Sequence, residues 1–200
     1  MAGSRPELAG QLAGAYEERF VVHLTDLPRL LGLMAVPWAG WWFGLLEASV
    51  MLLVSGGTWA LRYYGSSRFR DLSGQLVLLA AGLFSVLGTY RQLVWLDLVM
   101  HLLVLWVLTL LVHDALRAHG LLSGGLTGRL RWGEAIAVTS LGASLAVLWE
   151  IGEWIGHEFI DPGVGVGYRD TIGDLAAGML GAAVAAWNIW RGSARSGTGQ

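Results

Sequence analysis

The chain contains no cysteine and no lysine, and only 14% of its 200 residues are charged. Without cysteine there is no disulfide, thiolate nucleophile, iron–sulfur cluster or palmitoyl anchor. All thirteen cationic residues are arginine, which together with 29 glycines reads as codon bias in a GC-rich genome. The charged fraction falls well short of the roughly 25% of a soluble domain, while hydrophobic residues reach 54%. A net charge of -2, with no basic patch carrying interleaved aromatics, excludes a nucleic-acid partner. The first 26 residues also lack the basic-then-apolar pattern of a signal peptide, because Glu7, Glu17, Glu18 and Asp26 interrupt them. Insertion is then expected to be driven by the membrane helices themselves.

What the chain has in abundance is long apolar runs. A helix rises 1.5 Å per residue, so about 30 Å of hydrocarbon needs roughly twenty apolar residues. Such runs cover about Leu72–Tyr90, Leu93–Asp114, Trp132 or Glu134 to Phe159, and Asp170–Trp190. The stretch Leu24–Tyr64 holds either one long span or two short ones turning near Gly44–Glu47, with Pro37 and Trp38, Trp41 and Trp42 suggesting a kink beside an interface. Two spans are the preferred reading. The expected fold is an all-α polytopic transmembrane bundle of five to six spans at 24–190, with a polar tail at 1–23 and a flexible tail at 191–200. The loop Ile160–Arg169 carries Asp-Pro and three glycines, which is turn chemistry rather than a phosphate cradle.

Arginine placement sets the expected orientation. Arg62, Arg68 and Arg70, then Arg117, Arg129 and Arg131, then Arg191 and Arg195 fall on one side, against Arg91 and Arg169 on the other. Two passes in Leu24–Tyr64 would also bring Arg5, Arg19 and Arg29 to the first side. The positive-inside rule makes that side, and the C-terminus, cytoplasmic.

On this frame the acidic and histidine residues form stripes. Asp97 and His101 are four apart, Glu150, Glu153 and His157 follow i, i+3, i+7, and Asp170 and Asp174 are four apart. Each spacing places its residues on one helix face, and all three stripes fall near the non-cytoplasmic end. Measured from boundaries near residues 93, 159 and 170, the depths run from roughly 6 Å for Asp97 and Asp174 to roughly 13 Å for Glu150. Charged groups at that depth cost several kcal/mol unless they converge on one another. Small residues continue two of the stripes. Gly178 and Ala182 extend Asp170–Asp174, and Gly142 and Ala146 lead to Glu150, so these two ridges should pack and bring Glu150 to Asp174. Glu47 is a candidate fourth contributor.

Five carboxylates and two imidazoles repel one another unless protons are shared, an arginine intervenes, or a cation binds. Arg91 and Arg169 are the local pairing candidates. The candidate metal ligands are Asp97, His101, Glu153, His157, Asp170 and Asp174, and Glu150 and Glu153 are the candidate catalytic carboxylates. A divalent ion is the cofactor that such a donor set suits, with Mn, Fe, Zn, Mg and Ca all left open. The blander readings are a structural Asp97–His101 hydrogen bond and an N-terminal helix cap at Asp170. His113, Asp114 and His119 read as a solvated rim at the inner end, and His23 as solvated.

WEIGEW (149–154), YRDTIGDLAAGMLGA (168–182) and LDLVMH (96–101) resemble the YjdF-like bacterial inner-membrane proteins, and more distantly the VanZ-like membrane proteins. The resemblance implies that Asp97, His101, Glu150, Glu153, Asp170 and Asp174 belong to a family pattern, and it brings no activity. Three functions follow as expectations. The first is an outward-facing metal or polar pocket acting on a lipid-linked or envelope substrate. The others are a small proton- or cation-coupled transporter or channel, and a structural or assembly protein. The lipid bilayer is the expected partner, with a lipid-linked substrate and a homo-oligomer left open.

Overall fold

A computed structural model describes residues 23–65, 67–122 and 129–196. Residues 1–22 of the expected N-terminal tail and the last four residues lie outside these. After a single 3-10 turn at Leu24–Asp26, seven helices follow. They are α1 (Leu27–Trp42), α2 (Leu45–Tyr64), α3 (Arg68–Val86), the short α4 (Thr89–Gln92), α5 (Val94–Ala118), α6 (Arg129–Phe159) and α7 (Tyr168–Ser196). The fold is an all-α membrane bundle.

Among the described residues, four helices are long and apolar enough to cross a membrane: α3, α5, α6 from Trp132, and α7 to Gly192. The stretch read as two short passes is a helical hairpin. It turns at Phe43–Gly44, where Gly44 has φ +131°, a conformation that favours glycine. Its first arm has 16 residues, about 24 Å, short of a full hydrocarbon crossing. The five to six expected spans are therefore four long helices and a companion hairpin packed on α3. The helix continues through Pro37 to Trp42.

Two helix ends differ from expectation. The run expected to reach Tyr90 stops at Val86, because Leu87 ends the helix and Gly88 adopts φ +65°, a left-handed helix terminator. Tyr90 then folds back in α4 and donates its hydroxyl to the Ala81 carbonyl at 3.0 Å. At the other end, helix α7 runs on to Ser196 instead of loosening after Trp190.

Packing in the second half is set by close backbone approach. Helices α6 and α7 are antiparallel, and Gly142 lies against Ala182 while Gly178 lies against Ala146. This is the expected ridge pairing, and continuing it by four residues sets Glu150 opposite Asp174. Helix α7 runs parallel to α5, and a Cβ on Gly181 would strike the Leu102 carbonyl oxygen and the Trp106 backbone nitrogen. The contact thus places the first turns of α5 and α7 at the same end.

The opposite end is held by a buried ionic network. Arg29, fully buried, donates to the Thr58 carbonyl at 2.9 Å, the Thr25 carbonyl at 3.0 Å and the Asp26 carboxylate at 2.6 Å, and also pairs with Asp71. Arg62 pairs with Asp26 as well. Two guanidinium groups thus meet two carboxylates, satisfying the condition for burying charge. The expected solvated rim beside them needs correction. His113 is buried, with Nδ1 at 3.2 Å from Asp114 and Nε2 at 3.3 Å from Glu134. Partners on both ring nitrogens replace its water, and only His119 of that trio is exposed.

Substituting Gly181 by Ala should lower the unfolding midpoint in detergent by several degrees, from about 1–3 kcal/mol of overpacking. Gly152, which faces open space, should tolerate Ala or gain up to about 1 kcal/mol in helix propensity. A second expectation concerns acid. Burial of the Asp26 carboxyl works against ionisation, but the His23 backbone N–H and the charges of Arg62 and Arg29 outweigh it, and its pKa is lowered. Its contribution is complete above the unfolded value of about 3.9 and is lost as pH falls through the lower folded value. Thermal melts should therefore drop more steeply in acid for wild type than for Asp26→Asn.

Candidate functional site

The candidate site lies at the end of the bundle away from the arginine network, where the first turns of α5 and α7 meet the last turns of α6. At its centre is His101, one turn below Asp97 on α5. Its Nδ1 lies 3.2 Å from the Asp97 carbonyl, 3.3 Å from the Asp97 carboxylate and 3.3 Å from the Asp174 carboxylate. All three are acceptors, so Nδ1 carries the hydrogen. In the neutral ring Nε2 then presents a lone pair, and it faces the Glu150 Oε1 at 3.5 Å. Both atoms are buried without a hydrogen-bond partner, as is the Asp174 Oδ2.

Two ligand-competent groups result, sharing the imidazole. Donor atoms of Asp97, His101 and Asp174 lie within 4.8 Å of one another, as do those of His101, Glu150 and Glu153. Glu153 is anchored by the Trp149 indole N–H, which donates to its Oε1 at 2.9 Å. The same indole stands edge-on to the His101 ring, with centroids 6.3 Å apart. Thr171 lies beside the Glu150 carboxylate. Tyr90, in α4 outside the spans, has its phenol pKa raised by burial first and then by the Asp97 and Glu153 charges, and it remains a proton donor. Neither Tyr90, Trp149 nor Thr171 was legible as a site neighbour. Tyr90 and Trp149 read as interfacial or packing aromatics, although Trp149 sits at i, i+4 to Glu153.

Three expected contributors stand apart. His157 turns its Nδ1 to the Val164 carbonyl at 2.7 Å, so it straps the α6–α7 loop and lies outside both ligand groups. Asp170, half-buried one turn before Asp174, flanks the cluster without joining either group. Glu47 sits in the first turn of α2 beside Gly44. The expected arginine partners are also elsewhere. Arg91 donates to the Gly163 carbonyl at 2.7 Å, and Arg169 is exposed. Among the described residues no arginine pairs with the five carboxylates. Below the cluster, Leu105 is fully buried one turn past His101, packed against Gly178.

Residues 29–195 match a family described as predicted membrane proteins, DUF2238. The chain belongs to the DUF2238 family. That match covers all the long helices and the whole carboxylate and histidine cluster, and it makes the chain a multi-pass membrane protein. The finer likeness to YjdF-like or VanZ-like proteins is not part of it. No curated protein and no solved structure is significantly similar to this DUF2238 chain.

The cluster gathers carboxylates around one imidazole, and among the described residues no arginine pairs with them, which trades stability for a prepared site. In EDTA, Asp174→Asn should therefore melt higher than wild type, by about 0.5–2 kcal/mol. Scanning calorimetry in detergent checks this, and an unchanged or lower midpoint would show that the cluster is already internally compensated.

Proposed function

We propose that this DUF2238 protein binds a divalent metal ion through His101 Nε2, Glu150 and Glu153, in an outward-facing pocket that acts on a membrane-embedded, lipid-linked substrate. The observation that carries this reading is that His101 Nε2 and Glu150 Oε1 face each other 3.5 Å apart, both buried and without a hydrogen-bond partner. Two ligand atoms each about 2.1 Å from a zinc-sized ion and separated by that distance subtend roughly 110°, close to tetrahedral. The Asp97 and Asp174 carboxylates on Nδ1–H supply the outer partners that orient a ligating imidazole and raise its basicity. The Trp149 indole does the same for Glu153.

Three protein ligands leave a coordination position open, the pattern of catalytic rather than structural sites. A divalent ion there would supply Lewis acidity and a water of lowered pKa. A carboxylate oxygen of Glu150 or Glu153 left off the ion would take a proton from such a water. The depth of these three ligands, roughly 9–13 Å below the boundary, favours a substrate that is itself held in lipid. The exposed Ile151, Trp154 and Ile155 on α6 give it a lipid-facing flank. The transport reading is less favoured, because fully buried Leu105 separates His101 from the His113–Glu134 pair further along α5.

Purified protein loaded with Zn2+ or Mn2+ and then desalted should retain at least one equivalent by elemental analysis. Saturation at about 100 times Kd should add about 2.7 kcal/mol of stability. His101→Phe and Glu150→Gln should abolish both effects while remaining folded. Wild-type protein that neither retains a divalent ion nor gains stability from one would sink the proposal.

A further inference from the structure

The carboxylate and histidine cluster is closed. His101 is 6% exposed and Asp174 2%, so a ligand reaches them only if something moves. The sides of the bundle do not supply that motion. Helices α6 and α7 touch at Gly142–Ala182 and Ala146–Gly178, and the α5 backbone meets Gly181. Small residues in such close contact leave no slack. Opening is left to the bundle end, where α4 leads into the Asp97 turn of α5. There too the loop at 160–167 joins the Glu153 end of α6 to the Asp174 end of α7.

Both segments are pinned by bonds from side chains to backbone. Tyr90 ties α4 to the Ala81 carbonyl of α3 at 3.0 Å and lies within electrostatic reach of Asp97 and Glu153. The loop folds back on α6, where His157 Nδ1 meets the Val164 carbonyl at 2.7 Å and the Val164 side chain lies over Gly156. Its turn is held by the Gly163 N–H on the Asp161 carboxylate at 2.8 Å. From one segment to the other, exposed Arg91 donates to the Gly163 carbonyl at 2.7 Å. A Cβ on Gly88, at φ +65°, or on Gly165 would meet open space, leaving room for the backbone rotation that a hinge absorbs. We propose that α4 and the 160–167 loop form a lid over the cluster, latched shut by the Arg91–Gly163 hydrogen bond. A guanidinium bonded to a neutral carbonyl at an exposed surface shifts a closed–open equilibrium by roughly three- to tenfold. That favours the closed form and still lets it open unaided. Closure excludes bulk water, which strengthens the electrostatic contacts inside. The lid controls access to the cluster whether or not its occupant is a metal ion.

The chain has no cysteine, so Arg91→Cys combined with Gly163→Cys gives two unique thiols that a short bifunctional methanethiosulfonate reagent can bridge. Access is read on the full-length protein in detergent, as the rate at which diethyl pyrocarbonate acylates His101, followed by peptide mass spectrometry. Exposed His119 at the other end supplies the reference rate. Bridging should slow His101 labelling by at least about tenfold relative to the same protein after reduction, with His119 unchanged. Bridged and reduced forms share one polypeptide, so a folding defect does not separate them. Arg91→Gln should speed His101 labelling by roughly three- to tenfold over wild type. Equal His101 rates in the bridged and reduced forms, or no acceleration in Arg91→Gln, would overturn the lid. Failure to bind Mn2+ alongside the expected rate changes would remove the metal reading and leave the lid in place.

Discussion

An ionised side chain inside an apolar bundle is tolerated only where an opposite charge or strong donors lie within hydrogen-bonding distance, because lipid supplies neither. The two ends of this bundle meet that condition differently. At the arginine end, Arg29 and Arg62 are matched by Asp26 and Asp71, and Arg29 fills further donor positions with the carbonyls of Thr25 and Thr58. There each charge meets an opposite charge within the chain. At the other end, three carboxylates approach one imidazole and leave Nε2 of His101, Oε1 of Glu150 and Oδ2 of Asp174 unpartnered. One end is a closed ionic joint and the other an unfinished coordination sphere.

Backbone contacts far from the charges place that sphere. The antiparallel meeting of Gly142 with Ala182 and of Ala146 with Gly178 fixes the register of α6 on α7. A four-residue step from there sets Glu150 against Asp174. The approach of Gly181 to the α5 backbone fixes the second register, which brings Asp97 and His101 to the same level. Side chains on rigid helices gripped by small residues hold their geometry better than side chains on loops. The charge cluster is thus a product of van der Waals fit, since like charges would not assemble themselves.

Residue type alone misleads for the histidines. His101 and His157 both belong to acidic stripes at helical spacing, yet His157 is spent on the Val164 carbonyl and braces a glycine-rich loop. His113, next to an aspartate at the end of a span, looks solvent-facing in one dimension, but Glu134 from the following helix completes a buried pairing. In each case the partner comes from another segment, and no local pattern announces it.

The sequence by itself determined the membrane setting, the all-α fold, the four long helices, the stripe positions and the ridge pairing of α6 with α7. Hydropathy, helical period and small-residue spacing are local quantities that a single chain displays in full. Tertiary structure decided between one long pass and the preferred two-armed reading of Leu24–Tyr64, setting the turn at Phe43–Gly44, and it alone decided that Tyr90 returns towards the bundle. It also separated His101, Glu150, Glu153, Asp97 and Asp174 from His157 and Glu47. Periodicity states which face a residue occupies. Which neighbour meets that face depends on how several helices share a limited apolar volume, and that is settled only when all of them pack together.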